Sequence, residues 1–132
     1  MSSVPKVVCV DFDGTLCEFA YPGIGDPKPG AKEALQAFRD MGYHVIIYSC
    51  RTCKWYPELF AAPGEVLDMN RKCITDMIAW LKKHDIPYDE IDDGSKGKPM
   101  GDYYIDDKGV RFDNNWPDIQ RFVEERNRLY GR

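Results

Sequence analysis

The chain has 132 residues, a length that suits one domain with its own core. At 43% hydrophobic and 30% charged it does not read as a disordered chain, and no apolar run approaches the roughly 20 residues that span a bilayer as a helix. A net charge of −4 and a pI near 5.2 argue against broad binding to a nucleic-acid backbone, which needs a basic footprint.

Met1–Lys6 lacks the basic start and cleavage site of a signal peptide, so a cytoplasmic protein with no membrane partner is the expectation. There are five cysteines, an odd number. Cys9, Cys17, Cys50 and Cys73 lie in or beside apolar or helical patterns, where free Cys behaves as a small hydrophobe. Cys50-Arg51-Thr52-Cys53 spells C-x-x-C, but a zinc ribbon wants a second such pair. Reduced, unpaired thiols are expected.

The first element is Lys6–Val10, a β-branched apolar run that predicts a buried strand. It runs into Asp11-Phe12-Asp13-Gly14-Thr15, two acids one residue apart followed by a turn signal. Pro29–Met41 predicts a helix, with Pro29 at its start, an apolar stripe of Ala34, Leu35, Ala37 and Phe38, and Gly42 to close it. Tyr43–Tyr48 predicts a second strand, ending at Ser49. Strand, helix and strand with short links make a βαβ unit, so these strands should be parallel.

Residues 52–68 are irregular, with Trp55, Tyr56 and Phe60 read as anchors of that loop in the core. The next helix is capped by Asp68 or Asn70 and runs to about His84, with Cys73, Met77, Trp80 and Leu81 on one face. Ile86-Pro87-Tyr88 reads as a short third strand, and residues 89–99 as loop, with the acidic run Asp89–Asp93 solvated. Tyr103–Ile105 reads as a fourth strand ending in Asp106-Asp107. Pro117 opens a last helix to about Tyr130. Alternating β and α elements predict a single three-layer α/β/α Rossmann-like domain over residues 1–132, with a central parallel sheet.

Ligands of such sheets bind at the carboxyl ends of the strands, near the point where strand order reverses. Asp11, Asp13, Ser49, Asp106 and Asp107 all fall there. Four carboxylates on one edge repel, and a hard divalent cation with oxygen ligands, Mg²⁺, resolves the repulsion. A carboxylate beside a metal can attack phosphorus, and a second acid can move the proton. Ser49, Lys98, and Gly14 and Thr15 with free turn amides suit the phosphate oxygens. Arg51 and Thr52 could also grip the substrate.

These residues resemble the motifs of the haloacid dehalogenase superfamily of aspartate-nucleophile phosphatases. Asp11-Phe12-Asp13-Gly14-Thr15 is similar to its D-x-D-G-T signature, Ser49 to the second motif, Lys98 in Gly97-Lys98-Pro99 to the third, and Asp106-Asp107 to the fourth. The resemblance spans residues 6 to about 110 with the motifs in order. It implies that Asp11 is nucleophile and Mg²⁺ ligand, and that Asp13 is the general acid/base with its carbonyl on the metal. It further implies that Ser49 and Lys98 hold the transferred phosphoryl group. Asp106 would ligate the metal, with Asp107 in support.

Neither interval between motifs has room for the separate cap domain of many relatives, so an uncapped site is expected. Such sites serve large substrates, or are covered by a neighbour in a homo-oligomer. The expected partner is a phosphorylated substrate, a small molecule or a macromolecular end. The expected function is a Mg²⁺-dependent phosphomonoester hydrolase. A nucleotide or nucleic-acid-end phosphatase using Arg51 is one rival, and a non-catalytic Mg²⁺-binding partner protein is the other.

Overall fold

The computed structural model describes residues 4–52 and 66–132. Its elements are β1 (Lys6–Asp11), α1 (Ala31–Asp40), β2 (Tyr43–Tyr48), α2 (Val66–Lys83), β3 (Glu90–Ile91), β4 (Tyr103–Ile105) and α3 (Trp116–Tyr130). A single 3₁₀ turn, Cys50–Thr52, follows β2. The strands form one four-stranded sheet in the order β3-β2-β1-β4, with every pairing parallel. The small three-layer α/β Rossmann-like class expected from the alternation of elements is the observed one.

The apolar runs account for the core. Val8 and Val10 of β1 and Val45 and Ile47 of β2 point to one face, as period-two geometry requires. Leu35 of α1 and Met77, Trp80 and Leu81 of α2 meet them in one cluster, so both helices cover that face. In α1 the stripe that packs is Ala31, Leu35 and Phe38, at helical spacing, while Ala37 is exposed. Glu33 in its first turn and Arg39 in its last complement the helix dipole. Gly42 closes the helix through its N–H to Arg39 O, 2.9 Å. The expected face of α2 is buried at all four positions, Cys73, Met77, Trp80 and Leu81. On the opposite face of the sheet Cys9 is covered by the chain at Gly101, where a Cβ would stand 2.7 Å from the Cys9 sulfur.

Two expectations need correction. The third strand is Glu90–Ile91, not Ile86–Tyr88. Ile86 is buried in the core instead, directly after α2. The first half of the acidic run is therefore not a solvated loop, while Asp92 and Asp93 follow β3 in a loop with Asp93 exposed. Asp89 exchanges backbone and side-chain bonds with Val45, accepting from Val45 N–H at 2.8 Å, and pairs with Arg39 at 3.1 Å. Glu90 bonds His44 at 2.9 Å. Local polarity misled here, because parallel pairing with β2 and two basic neighbours supply partners that composition does not reveal.

Among the described residues, Cys9, Cys17 and Cys73 are free thiols. Trp55, Tyr56, Phe60 and Cys53 lie outside the described residues. Between β1 and α1 the chain forms turns and isolated bridges, Asp13 to Cys17 and Cys17 to Pro27, with no helix or strand there. No helix of the described residues is long and apolar enough to cross a membrane.

Candidate active site

The strand order places the site. From β1 the chain steps to β2 and β3 on one side, and β4 adds on the other, so strand order reverses between β1 and β4, and the carboxyl ends of these strands are the edge where such sheets bind ligands. Asp11 ends β1, and Asp106 and Asp107 follow β4. Phe12 turns away into the core with no exposed surface, edge-on to Trp80 at 5.2 Å. That burial anchors the acids on both sides of it in sequence.

Asp11 and Asp107 face each other. The Asp11 carboxyl has its pKa pushed up to about 6, first by burial and then by the Asp107 carboxyl, which hydrogen-bonds it, and by Asp13. The Phe12 N–H donates to Asp11 Oδ1 at 2.8 Å and acts the other way. Gly14 makes the approach feasible. It sits at φ +84°, and a Cβ there would collide with the Asp107 carboxylate.

Asp106 is engaged elsewhere. It accepts from the N–H of Lys108 at 2.8 Å, from the N–H of Gly109, and from the Tyr48 hydroxyl at 3.4 Å. These bonds hold its carboxyl below the usual carboxylate range, the Gly109 N–H foremost and against the opposing effect of burial. Asp107 thus lies against Asp11, and Asp106 braces its own loop. Burial and the neighbouring Asp106 push the Tyr48 phenol above its ordinary value, so it stays a donor. The sequence reading gives Tyr48 a place in the second strand but no role at the site. Its parallel register with Asp11 is the signal that places it at the site edge.

Asp13 is held by Arg51. The guanidinium donates through Nε to Asp13 Oδ2 and through Nη2 to Oδ1, both at 2.8 Å. It also donates to the carbonyls of Pro22 at 3.2 Å and Gly23 at 2.8 Å. The Phe12 and Tyr21 rings lie 5.6 and 5.0 Å from its central carbon. Burial opposes the charge on Arg51, but the bonds to Asp13 outweigh it and raise the pKa further. Arg51 thus faces inward as a fully engaged, buried side chain, where a substrate grip had been expected. Thr52 is buried too, its hydroxyl donating to Ser49 O at 2.9 Å.

The remaining expected residues divide. Ser49 sits at the end of β2 and its Oγ accepts from Arg51 N–H at 3.1 Å, fixing the turn that brings Arg51 round. Lys98 is exposed, with its ammonium 4.6 Å from the centre of the Tyr104 ring. The turn amides are not free. Gly14 N–H donates to Cys17 O at 2.9 Å and Thr15 N–H to Phe12 O at 3.2 Å. Thr15 contributes instead a buried hydroxyl with no hydrogen-bond partner. Burial, chiefly, pushes the thiols of Cys9 and Cys17 up, which keeps them protonated.

The donor set suits a magnesium-type ion in part. Among the described residues no three His, Cys, Asp or Glu side chains converge as a ready cage. Asp11 and Asp107 do converge, as two like charges in need of a cation. Mg²⁺ commonly binds through one or two carboxylates plus waters and substrate phosphate oxygens, so such a half-open site fits it.

No protein-family profile matches the chain, and no curated protein matches it. Solved structures do. A conserved protein from Bacteroides thetaiotaomicron is 25% identical with a TM-score of 0.53, over 93% of both chains. A structural-genomics target from Vibrio cholerae is 29% identical with a TM-score of 0.48, over 91% of this chain and 98% of that one. A chain of a Pnkp1/Rnl/Hen1 complex is 22% identical with a TM-score of 0.37, over 95% of this chain and 36% of that one. The Bacteroides protein shares the α/β fold along nearly the whole chain.

Proposed function

We propose that the protein is a Mg²⁺-dependent phosphomonoester hydrolase of the haloacid dehalogenase type, working through a phosphorylated Asp11. The observation that carries this reading is the pair Asp11 and Asp107, pressed together at the switch point beside a glycine that leaves room for them. Crowded like charges are costly, and a structure that keeps them on a ligand-binding edge supports cation and phosphate chemistry.

Asp11 and Asp107 would hold the ion, together with the Asp13 carbonyl. When bound, the ion supplies charge neutralisation for the phosphate oxygens and for Asp11. An Asp11 oxygen attacks phosphorus, and the ester P–O bond breaks. Asp13, protonated on an oxygen that Arg51 has released, would give that proton to the departing oxygen. It then takes a proton from water, whose oxygen attacks the phosphorus of the phospho-Asp11 intermediate and frees Asp11 and inorganic phosphate. The Thr15 hydroxyl is a buried donor in need of an acceptor, and it lies one residue from the Asp11–Asp107 contact at Gly14.

Arg51 positions Asp13 in this scheme. Its inward engagement removes the cation that a nucleic-acid-end specificity would use. The test is release of phosphate from an aryl phosphate with Mg²⁺, with acid-quenched phosphoprotein trapped in the wild type. Asp11→Asn should abolish both while leaving the circular dichroism spectrum unchanged. Undiminished turnover in that variant overturns the mechanism. No turnover on a broad panel, together with a tight protein complex, would favour a binding protein on this scaffold.

A further inference from the structure

The C-terminal helix carries an apolar stripe that no other element of the described residues buries. No side chain of α3 is buried. Trp116, Phe122, Val123 and Tyr130 are 68%, 46%, 51% and 67% exposed. Arg126 lies within the stripe, its guanidinium 5.0 Å from the Phe122 ring and 5.7 Å from that of Tyr130. The spacing of 122, 126 and 130 puts all three on one side of the helix.

The same chain carries an unfilled apolar groove. It has a volume of about 740 Å³ and runs beside α1 over the free side of β4. Phe38 and Met41 form one wall, Tyr103 and Ile105 the floor, and Val110 and Phe112 the other wall. Tyr103 and Ile105 pair in register with Val8 and Val10, so they point to the face that α1 and α2 cover elsewhere. The groove is where a third helix of that layer would lie. Helix α3 starts at its rim, where the Trp116 ring meets Phe112 at 5.2 Å, and then leaves it.

We propose that the occupant of this groove is α3 of a second copy, in a two-fold dimer that exchanges C-terminal helices. One chain holds both halves of a complementary contact, and neither is satisfied among its described residues. Exchange satisfies both at once, and a reciprocal contact is what two-fold symmetry requires. The cation inside the stripe also finds an acid, because Asp102 lines the groove. Aromatic side chains carry about 150–250 Å² each. With Trp116 and Tyr130 about two-thirds exposed and Phe122 nearly half, the stripe and groove counted on both copies reach the order of 1,200 Å² at which specific interfaces begin. Large exposed apolar patches of this kind mark association surfaces.

The test is mass by sedimentation velocity on the full chain, a readout independent of any catalytic activity. Wild type should sediment as a dimer of the 15.2 kDa chain at micromolar concentration. Phe122→Asp, in the stripe, and Met41→Glu, in the groove, should each be monomeric with an unchanged circular dichroism spectrum, since both sites are exposed within the chain. Mixed in equal amounts, the two variants should recover dimer. The helix of the Met41→Glu chain is intact and fits the intact groove of the Phe122→Asp chain. A wild type that stays monomeric at 100-fold higher concentration overturns the proposal, as would a helix folded into its own groove. Dimerisation that neither substitution weakens, or a mixture that recovers nothing, overturns the exchange.

Discussion

Arg51 grips Asp13 through two parallel hydrogen bonds of 2.8 Å, with its own side chain fully buried and the Asp13 side chain 13% exposed. An arginine fork suits a carboxylate at two points, which an ammonium cannot reproduce. The two backbone carbonyls bound by the same guanidinium tie the segment after β1 to the turn after β2. One side chain therefore aims the proposed acid/base and closes the loop around it.

Breaking such a pair strands the partner. Arg51→Ala should cost roughly 3–5 kcal/mol of stability, because it leaves the Asp13 carboxylate and the Pro22 and Gly23 carbonyls without their donor. Arg51→Lys should cost less but still lower turnover, through loss of the fixed Asp13 orientation. Urea unfolding beside aryl phosphate hydrolysis checks both. An Arg51→Ala protein of wild-type stability would show that the fork is not what holds the loop.

The two acids after β4 should separate in their metal dependence. Asp107 faces Asp11, whereas Asp106 is bonded to the Lys108 and Gly109 amides. Asp107→Asn should raise the Mg²⁺ concentration for half-maximal activity about 100-fold or more. Asp106→Asn should stay within the roughly 10–100-fold typical of groups that support a ligand indirectly. Titration of activity with Mg²⁺ decides, and the reverse order would return the direct role to Asp106.

Gly14 and Gly30 form a matched comparison. Both have positive φ, +84° and +83°, but only at Gly14 would a Cβ meet Asp107, while at Gly30 nothing lies within 4 Å. Alanine at either position should cost about 1–2 kcal/mol in backbone strain. Only Gly14→Ala should also weaken Mg²⁺ binding, by displacing Asp107. Calorimetric titration of both variants with Mg²⁺ tests this, and equal affinities would argue that Asp107 does not need the space.

Asp11 should also leave a mark on stability without metal. Its folded pKa of about 6 lies above the ordinary 3.8, so the native state holds the proton more tightly. The stability this contributes is complete below about pH 4 and is lost as pH rises through about 6. In EDTA, Asp11→Asn should therefore gain on the wild type progressively across that window. Thermal unfolding of the two proteins from pH 4 to 7 measures it. A difference that does not change with pH would mean that neither burial nor Asp107 raises the Asp11 pKa in solution.

Much of this protein was legible in its sequence, for local reasons. Periodicity alone located β1, α1, β2, the buried face of α2, β4 and α3, because alternation and helical spacing are imposed by backbone geometry. The acids at strand ends marked the site edge, since parallel strands bring their carboxyl ends together. What tertiary structure decided were pairings between residues distant in sequence. Arg51 and Asp13 lie on different elements, and only the turn after β2, pinned by Ser49 and Thr52, brings the guanidinium inward rather than to the substrate side. Asp106 and Asp107 are adjacent and chemically identical in sequence. Which one meets Asp11 depends on the amides that the next turn offers to Asp106 and on the space left at Gly14. Nor could composition reveal that Asp89 and Glu90 join the sheet. Their charges are tolerated there because Arg39, His44 and the backbone of Val45 stand opposite, and those partners meet only once the chain has folded.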